Sequence, residues 1–409
     1  MNRAPLHQSR GPQKRECVLV YRDRLAPRSE AQFLRRQYIG FGRLTPVWVG
    51  RRTDEGLTDL GVQPVILGRS GALGVWDRFS FTHFGTLPAQ PDLQALRPSI
   101  VHAQFGRGGA LALPIARALG IPLVVTFHGG DATKDKHYAR SIFPTVFQRR
   151  MVALQREAAM FICVSQFIRD QLAERGFPQE KLRVIRIGVD IDAEHAKKPP
   201  DEPPYVVFVG RFVEKKGIAH LLEAARMLAV EGSSVRFVLI GDGPLAGQLE
   251  HQARGLHNVV FPGWLPSQEV RRYMRGSIAL CAPSIIASSG DAEGLPSVIP
   301  EAMADGIPVI ASQQAGIAEA VEHGATGLLV PPAEPRALAE AIRALVDQPD
   351  LRRTLAIAAR RVAHERFDAA SQSRLLEQAL LDIIQRQGAE GSGADDHRAL
   401  ASPRAAQTE

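Results

Sequence analysis

Two carboxylates, Glu293 and Glu301, stand eight positions apart in the run from Gly290 to Gly306. Gly294, Leu295, Pro296 and Ser297 come directly after the first. Residues 297–305 end in helix formers, and Gly306 stands where a C-cap belongs. Pro296 and Pro300 fit only in a first turn, where backbone N–H groups lack partners inside the helix. Those N–H groups, with the positive end of the helix dipole, suit a diphosphate. Helical rise sets Glu301 about 10 Å beyond Glu293, the reach of a sugar, a diphosphate and a ribose. Carboxylates accept hydrogen bonds from hydroxyls, so this pair is expected to cradle a nucleotide sugar.

Arg211 and Lys216 follow the apolar run 205–209 and Gly210, across a turn closed by Gly217. Ligands of doubly wound sheets bind at that end of a strand. Both cations could reach one diphosphate, Arg as a bidentate fork and Lys as a mobile point charge. A solvated basic loop is the plainer reading. His128 ends the apolar run 123–127 ahead of Gly129, Gly130 and Asp131, so its side chain should face a cleft. Asp131 could orient His128 or bond an acceptor hydroxyl, while a structural histidine is the commoner use of such a position. Gly241-Asp242-Gly243-Pro244 reads as a tight turn, and the loop at Trp264 and Leu265 could flank a nucleobase.

In chain order, 126–129, 209–217, 240–245 and 293–303 resemble the motifs of the retaining family-4 glycosyltransferases. Glu-x7-Glu together with Gly-Arg-x4-Lys is far more specific than either alone, and the likeness covers 15–387. The pattern is similar to the exopolysaccharide and colanic-acid type. It implies an α/β GT-B fold, two Rossmann-like doubly wound domains facing a central cleft. It also implies retaining transfer from a UDP- or GDP-sugar to a hydroxyl of a carbohydrate or lipid-linked acceptor, with no cofactor and no metal. By that resemblance Glu293 contacts the donor sugar and Glu301 the ribose. Arg211 and Lys216 neutralise the leaving diphosphate, and His128 lines the sugar towards the acceptor. Gly210, Gly294, Leu295, Pro296, Ser297, Trp264 and Leu265 fall on the donor side, and Asp131 on the acceptor side. Two departures stand out. Residues 22–31 replace a common glycine-rich loop, and 185–190 replace a Pro-Asn-Gly-Val-Asp run, leaving Arg186 without a role. The rivals are a phosphorylase or epimerase on the same architecture, and a non-catalytic scaffold.

These residues need elements to hold them. Short apolar runs at 17–21, 99–103, 123–127, 161–164 and 182–185 alternate with helical patterns, as parallel strands with crossover helices do. A polar, proline-rich linker at 193–204 follows. The pattern then restarts with strands at 205–209, 235–240, 258–261, 278–282, 308–311 and 327–330. The expected organisation is a first domain over 15–192 on the acceptor side and a nucleotide-sugar domain over 205–366. A helix over 367–387 crosses back, and 1–14 and 388–409 are expected to be disordered.

At 409 residues the chain can bury two cores. No apolar run reaches the roughly 18 residues a spanning helix needs, and the polar start argues against a secretory signal. Three scattered cysteines suit buried free thiols in a reducing compartment, so the cytoplasm is expected. The charge of +7 is uneven: residues 1–52 hold twelve Lys and Arg against three carboxylates. There Phe33, Leu34, Tyr38 and Phe41 share a helical face while Arg35, Arg36 and Arg43 point elsewhere. Such a helix docks peripherally on an anionic membrane, packs on a sheet as a solvated helix, or forms a site for an acidic acceptor. Nucleic acid is not expected, since no recognition module accompanies the charge.

Overall fold

The computed structural model describes residues 16–25, 32–53, 63–88, 92–134, 138, 144–191 and 204–399. The first half contains β1 (Glu16–Tyr21), β2 (Arg24–Leu25), α1 (Gln32–Arg36), β3 (Leu44–Gly50), β4 (Arg52–Thr53), β5 (Val65–Ile66) and α2 (Gly71–Phe84). It continues through β6 (Pro98–Gln104), α3 (Gly106–Leu119), β7 (Leu123–Phe127), α4 (Gly130–Thr133), α5 (Val146–Glu157), β8 (Met160–Cys163), α6 (Gln166–Glu174) and β9 (Leu182–Val184). Seven of its strands form a parallel sheet in the order β5-β3-β1-β6-β7-β8-β9. Every residue of β7 is buried, as in a strand covered on both faces by crossover helices.

The second half contains β10 (Tyr205–Val209), α7 (Ile218–Val230), β11 (Arg236–Ile240), α8 (Ala246–Gln252), β12 (Val259–Gly263), α9 (Ser267–Gly276) and β13 (Ala279–Ala282). α10 (Val298–Ala304), β14 (Val309–Ser312), β15 (Leu328–Val330) and α11 (Pro335–Asp347) complete a parallel sheet ordered β12-β11-β10-β13-β14-β15. α12 (Pro349–Phe367) stays with this half, where Leu355 packs on one face and Phe367 on the other. At Asp368, bridged to Val189, the chain turns over, and α13 (Ala369–Ala399) packs against the first sheet. This is the α/β, two-domain GT-B architecture.

The structure departs from the sequence expectations at two points and selects between open readings at a third. Residues 33–43 pack inside the molecule, the second of their readings. Leu34 and Tyr38 are buried in a cluster with Leu376, Leu380 and Leu381 of α13, and Phe41 packs on its edge. Burial against a helix some 340 residues away is cheaper than exposure, and the side chain of Phe33 lies outside the described residues. β3 and α2 were not anticipated, though β3 pairs in register with all of β1. The last helix continues past residue 387 to Ala399. Residues 1–15, most of the linker and 400–409 lie outside the described set.

Candidate functional site

On the second domain the site begins at the carboxyl end of β10. Gly210 and Gly241 cross there so closely that a Cβ on Gly241 would lie 1.9 Å from the Gly210 carbonyl oxygen. A 3-10 turn over Glu214–Lys216 closes on Gly217, whose φ of +64° favours glycine. That turn aims Lys215 and Lys216 at Glu293. Lys216 Nζ is 3.1 Å and Lys215 Nζ 3.6 Å from Glu293 Oε1. Lys215 also reaches Asp291 Oδ1 at 3.1 Å, and Lys134 of the first domain reaches Asp291 Oδ2 at 2.9 Å.

Glu293 is only 7% exposed. Burial pushes its carboxyl up, but Lys216 and Lys215 outweigh that and hold it below its ordinary range. Burial likewise pulls the Lys215 ammonium down, and Glu293 and Asp291 return it above its usual value. Oε1 of Glu293 has no aligned hydrogen bond despite these charges, so its acceptor capacity is not used up.

The other expected residues fall around this centre in different ways. Arg211 is exposed at the end of β10. Ser297 takes the N-cap position of α10 without a side-chain cap, and Pro300 lies in its first turn. Leu265 and Leu295 pack on one apolar cluster beneath the loop, while Trp264 is exposed. Glu301 is held apart from Glu293: its Oε1 pairs with Arg36 of α1, which also bonds Asp190 Oδ2 at 3.1 Å. One guanidinium of the first domain thus holds Asp190 and the second carboxylate together.

His128 ends β7. Its Nε2 is 2.8 Å from Gln104 Oε1, and its ring lies 4.3 Å from that of Phe105, which Arg22 covers at 4.1 Å. Gln104 donates to Tyr38 Oη at 2.7 Å; that hydroxyl meets His102 Nδ1 at 2.8 Å, and His102 Nε2 meets Thr126 Oγ1 at 2.7 Å. Burial first, then Arg22 and His102, push His128 down to about 3, and burial alone does the same to His102. His128 is therefore neutral, a hydrogen-bonding group. The Asp131 carboxylate accepts from the backbone N–H groups of Gly106, His128 and Gly129 at 3.0, 3.1 and 2.8 Å. It fixes the strand end under His128 through backbone, and burial raises its pKa against the pull of those donors.

The two halves meet here. A Cβ on Gly294 would lie 2.0 Å from the His128 carbonyl oxygen, and one on Gly316 would lie 1.4 Å from that of Gly294. Ala292 donates its N–H to Thr133 Oγ1 at 3.0 Å. Glu319 accepts from Gln166 and Phe167 N–H at 2.9 and 2.8 Å at the start of α6, and pairs with Arg186 at 3.3 Å. Arg186 thereby joins the domain junction. Sequence reasoning also passed over Lys215, Asp291, Lys134, Arg36 and Gln104. The alternation along β6, which puts His102 and Gln104 on one face, was a signal that could have found Gln104.

Residues 190–362 match the model of Glycosyl transferases group 1, and residues 50–193 match that of Glycosyltransferase Family 4. A putative colanic acid biosynthesis glycosyltransferase of Salmonella typhimurium is 31% identical over 326 residues, 75% of this chain and 78% of the relative. An amylovoran biosynthesis glycosyltransferase of Erwinia amylovora is 32% identical over 280 residues, 63% of this chain and 66% of the relative. Among solved structures, Anabaena HepE in complex with UDP-glucose shares the fold with a TM-score of 0.70 and 21% identity. It covers 90% of this chain, which spans 100% of it.

Proposed function

The chain belongs to the glycosyltransferase family matched by both its halves, and from that premise we propose that it moves a sugar, with retention, from a nucleotide diphosphate sugar to a hydroxyl acceptor. The acceptor is a growing polysaccharide or a lipid-linked glycan, in line with the assembly named for its relatives. A UDP-sugar is the favoured donor, because Anabaena HepE takes UDP-glucose on the same fold. The setting we infer for it is the cytoplasmic side of a membrane that carries such acceptors.

The observation that carries this reading is Glu293, buried, ionised by two lysines and seated against the His128 strand end. Departure of the nucleotide diphosphate leaves an oxocarbenium-like centre. Lys216 and Arg211 stabilise the charge that builds on the leaving phosphate, so this role needs no divalent metal. The acceptor hydroxyl attacks from the same face and gives its proton to the leaving phosphate oxygen. Glu293 steers the sugar through its hydroxyls, and neutral His128 hydrogen-bonds without adding charge. Glu301 keeps Oε2 for the ribose while Arg36 holds Oε1. The protein supplies position and charge, not a nucleophile.

A thermal-shift panel of UDP, GDP, ADP and their sugars, with and without chelator, tests this. A ligand at 100 times its Kd should add about 2.7 kcal/mol. One nucleotide stabilising regardless of chelator supports the reading; no shift with any favours a non-catalytic scaffold. Glu293→Gln and Lys216→Ala should each lower transfer at least about tenfold with the fold intact, the loss of roughly 1.4 kcal/mol of transition-state binding. Wild-type turnover in both sinks the site assignment.

A further inference from the structure

Asp291 stands two residues before Glu293 and has no part in the chemistry described so far. It sits where the two domains touch, between cations that reach it from opposite sides. Lys215 of the second domain is 3.1 Å from its Oδ1, and Lys134 of the first is 2.9 Å from its Oδ2. The first domain also makes room for it, since a Cβ on Gly130 would collide with Asp291 Oδ1. The next residue, Ala292, gives its N–H to Thr133 Oγ1 at 3.0 Å. Both residues ahead of Glu293 are thus held by the 130–134 segment of the other domain. On the near side, Glu214 accepts from the Ser288 N–H at 2.8 Å and from its hydroxyl at 3.0 Å. The Lys215 carbonyl accepts from the Ile285 N–H at 2.8 Å. The loop that carries Glu293 is therefore strung between two anchors, one in each domain.

Three ammonium groups meet two carboxylates here, and how they are shared decides what Glu293 can do. Lys215 lies between the two acids, 3.1 Å from Asp291 and 3.6 Å from Glu293, while Lys216 is 3.1 Å from Glu293 alone. Charges with little water around them attract strongly, so a cation that loses one partner moves to the next. With no charge at position 291, Lys215 has a single carboxylate left within reach, and that is Glu293. A carboxylate with two ammonium groups drawn fully onto it has fewer lone pairs to offer a sugar hydroxyl. The balance shows in the Glu293 carboxyl itself. Burial raises its pKa, Lys216 and Lys215 lower it, and the Asp291 charge opposes those lysines.

We propose that Asp291 is a positioning residue: it draws Lys215 off Glu293, and Lys134 holds it in that place only while the domains are closed. The donor sugar then meets an unsaturated Glu293 only with the first domain against the second. The consequence for the sugar rests on the transferase reading above; the sharing of the lysines does not.

Limiting acetic anhydride followed by peptide mass spectrometry reads the lysines of the full chain without nucleotide or sugar. In Asp291→Asn, Lys134 should be acetylated at least about threefold faster, because losing its anion raises the share of free amine. Lys215 should keep its wild-type rate, because Glu293 takes it up. An unchanged rate at Lys134, or a rise at Lys215 to match it, overturns the proposal. A second measurement sets binding against turnover. Asp291→Asn leaves one more net positive charge beside the diphosphate, so UDP should bind at least as tightly as to wild type. Transfer should nonetheless fall at least about tenfold in kcat. A merely structural residue would weaken both and lower Tm, and that result, or wild-type turnover, sinks the positioning role. Lys134→Gln should add nothing to Asp291→Asn, since it acts through that carboxylate; losses that multiply would break the link to the first domain. A wild type that binds no nucleotide would end the transferase reading and leave the acetylation pattern standing, so the two ideas fall separately.

Discussion

Glu293 and His102 show two ways of keeping a polar group in a dry place. Glu293 stays charged because cations surround it, whereas His102, hydrogen-bonded to Tyr38 and Thr126, stays neutral because burial penalises its charged form. The second way has a pH consequence. His102 is fully buried, and its pKa is lowered from 6.5 to about 3. The unfolded chain therefore binds a proton that the folded one refuses, so the contribution is complete above about pH 6.5 and is lost as pH falls towards 3. From pH 7 to pH 5 that should cost about 2 kcal/mol. Urea unfolding of wild type and His102→Gln checks it: the difference in slope between pH 7 and 5 should appear, and parallel slopes would refute it. Little of this was legible beforehand. Glu293, Lys216 and His128 stood out by type and spacing, but Arg36 meets Glu301 across 265 positions, and no local pattern marks such a pair.

At the scale of elements, α13 holds the first domain by a device unrelated to the reaction. Glu377, buried at 7%, accepts the N–H groups of Gly42, Arg43 and Leu44 at 2.9, 2.7 and 2.8 Å, closing the turn into β3. Glu377→Ala would orphan three donors and should cost about 3 kcal/mol or more, with Glu377→Gln costing less, because all three bonds fall on Oε1 and an amide keeps one acceptor oxygen while losing the charge. The urea midpoint reads both; equal midpoints for wild type and Glu377→Ala would dismiss the role. This contact also explains where sequence reading succeeded and failed. β7 and β10 were read to the residue because continuous apolar runs between turns have one reading in a doubly wound sheet. Residues 33–43 kept three readings open, and α2 had none. The amphipathic face of the former is satisfied by α13, which only the tertiary fold supplies. In α2 the exposed apolar side chains of Val75, Trp76, Phe79 and Phe84 blur the 3.6-residue period that would have revealed the helix.

At the scale of the whole molecule, the two domains are joined near the site by charge and by close backbone approach. Arg36–Glu301, Lys134–Asp291 and Glu319 on the α6 N–H groups all cross between halves, and their partners are part-buried. Part-exposed pairs weaken in salt, because screening shortens from about 8 Å at physiological strength to 3 Å at 1 M. The glycine contacts between Gly294, Gly316 and the His128 strand end gain nothing from charge and resist that change. Cleft opening should therefore follow ionic strength. A compact chain of this length has a radius of gyration of about 22 Å. In about 1 M salt, or in Arg36→Ala/Lys134→Ala, X-ray scattering should show a larger radius for the free protein. A bound nucleotide should then restore the compact value, because its phosphates bring Lys216 and Arg211 back towards the first domain. An unchanged radius in both conditions would mean that the backbone contacts at Gly294 alone hold the domains closed. Gly294→Ala, which places a methyl 2.0 Å from the His128 carbonyl oxygen, should then open the cleft where the charge variants did not.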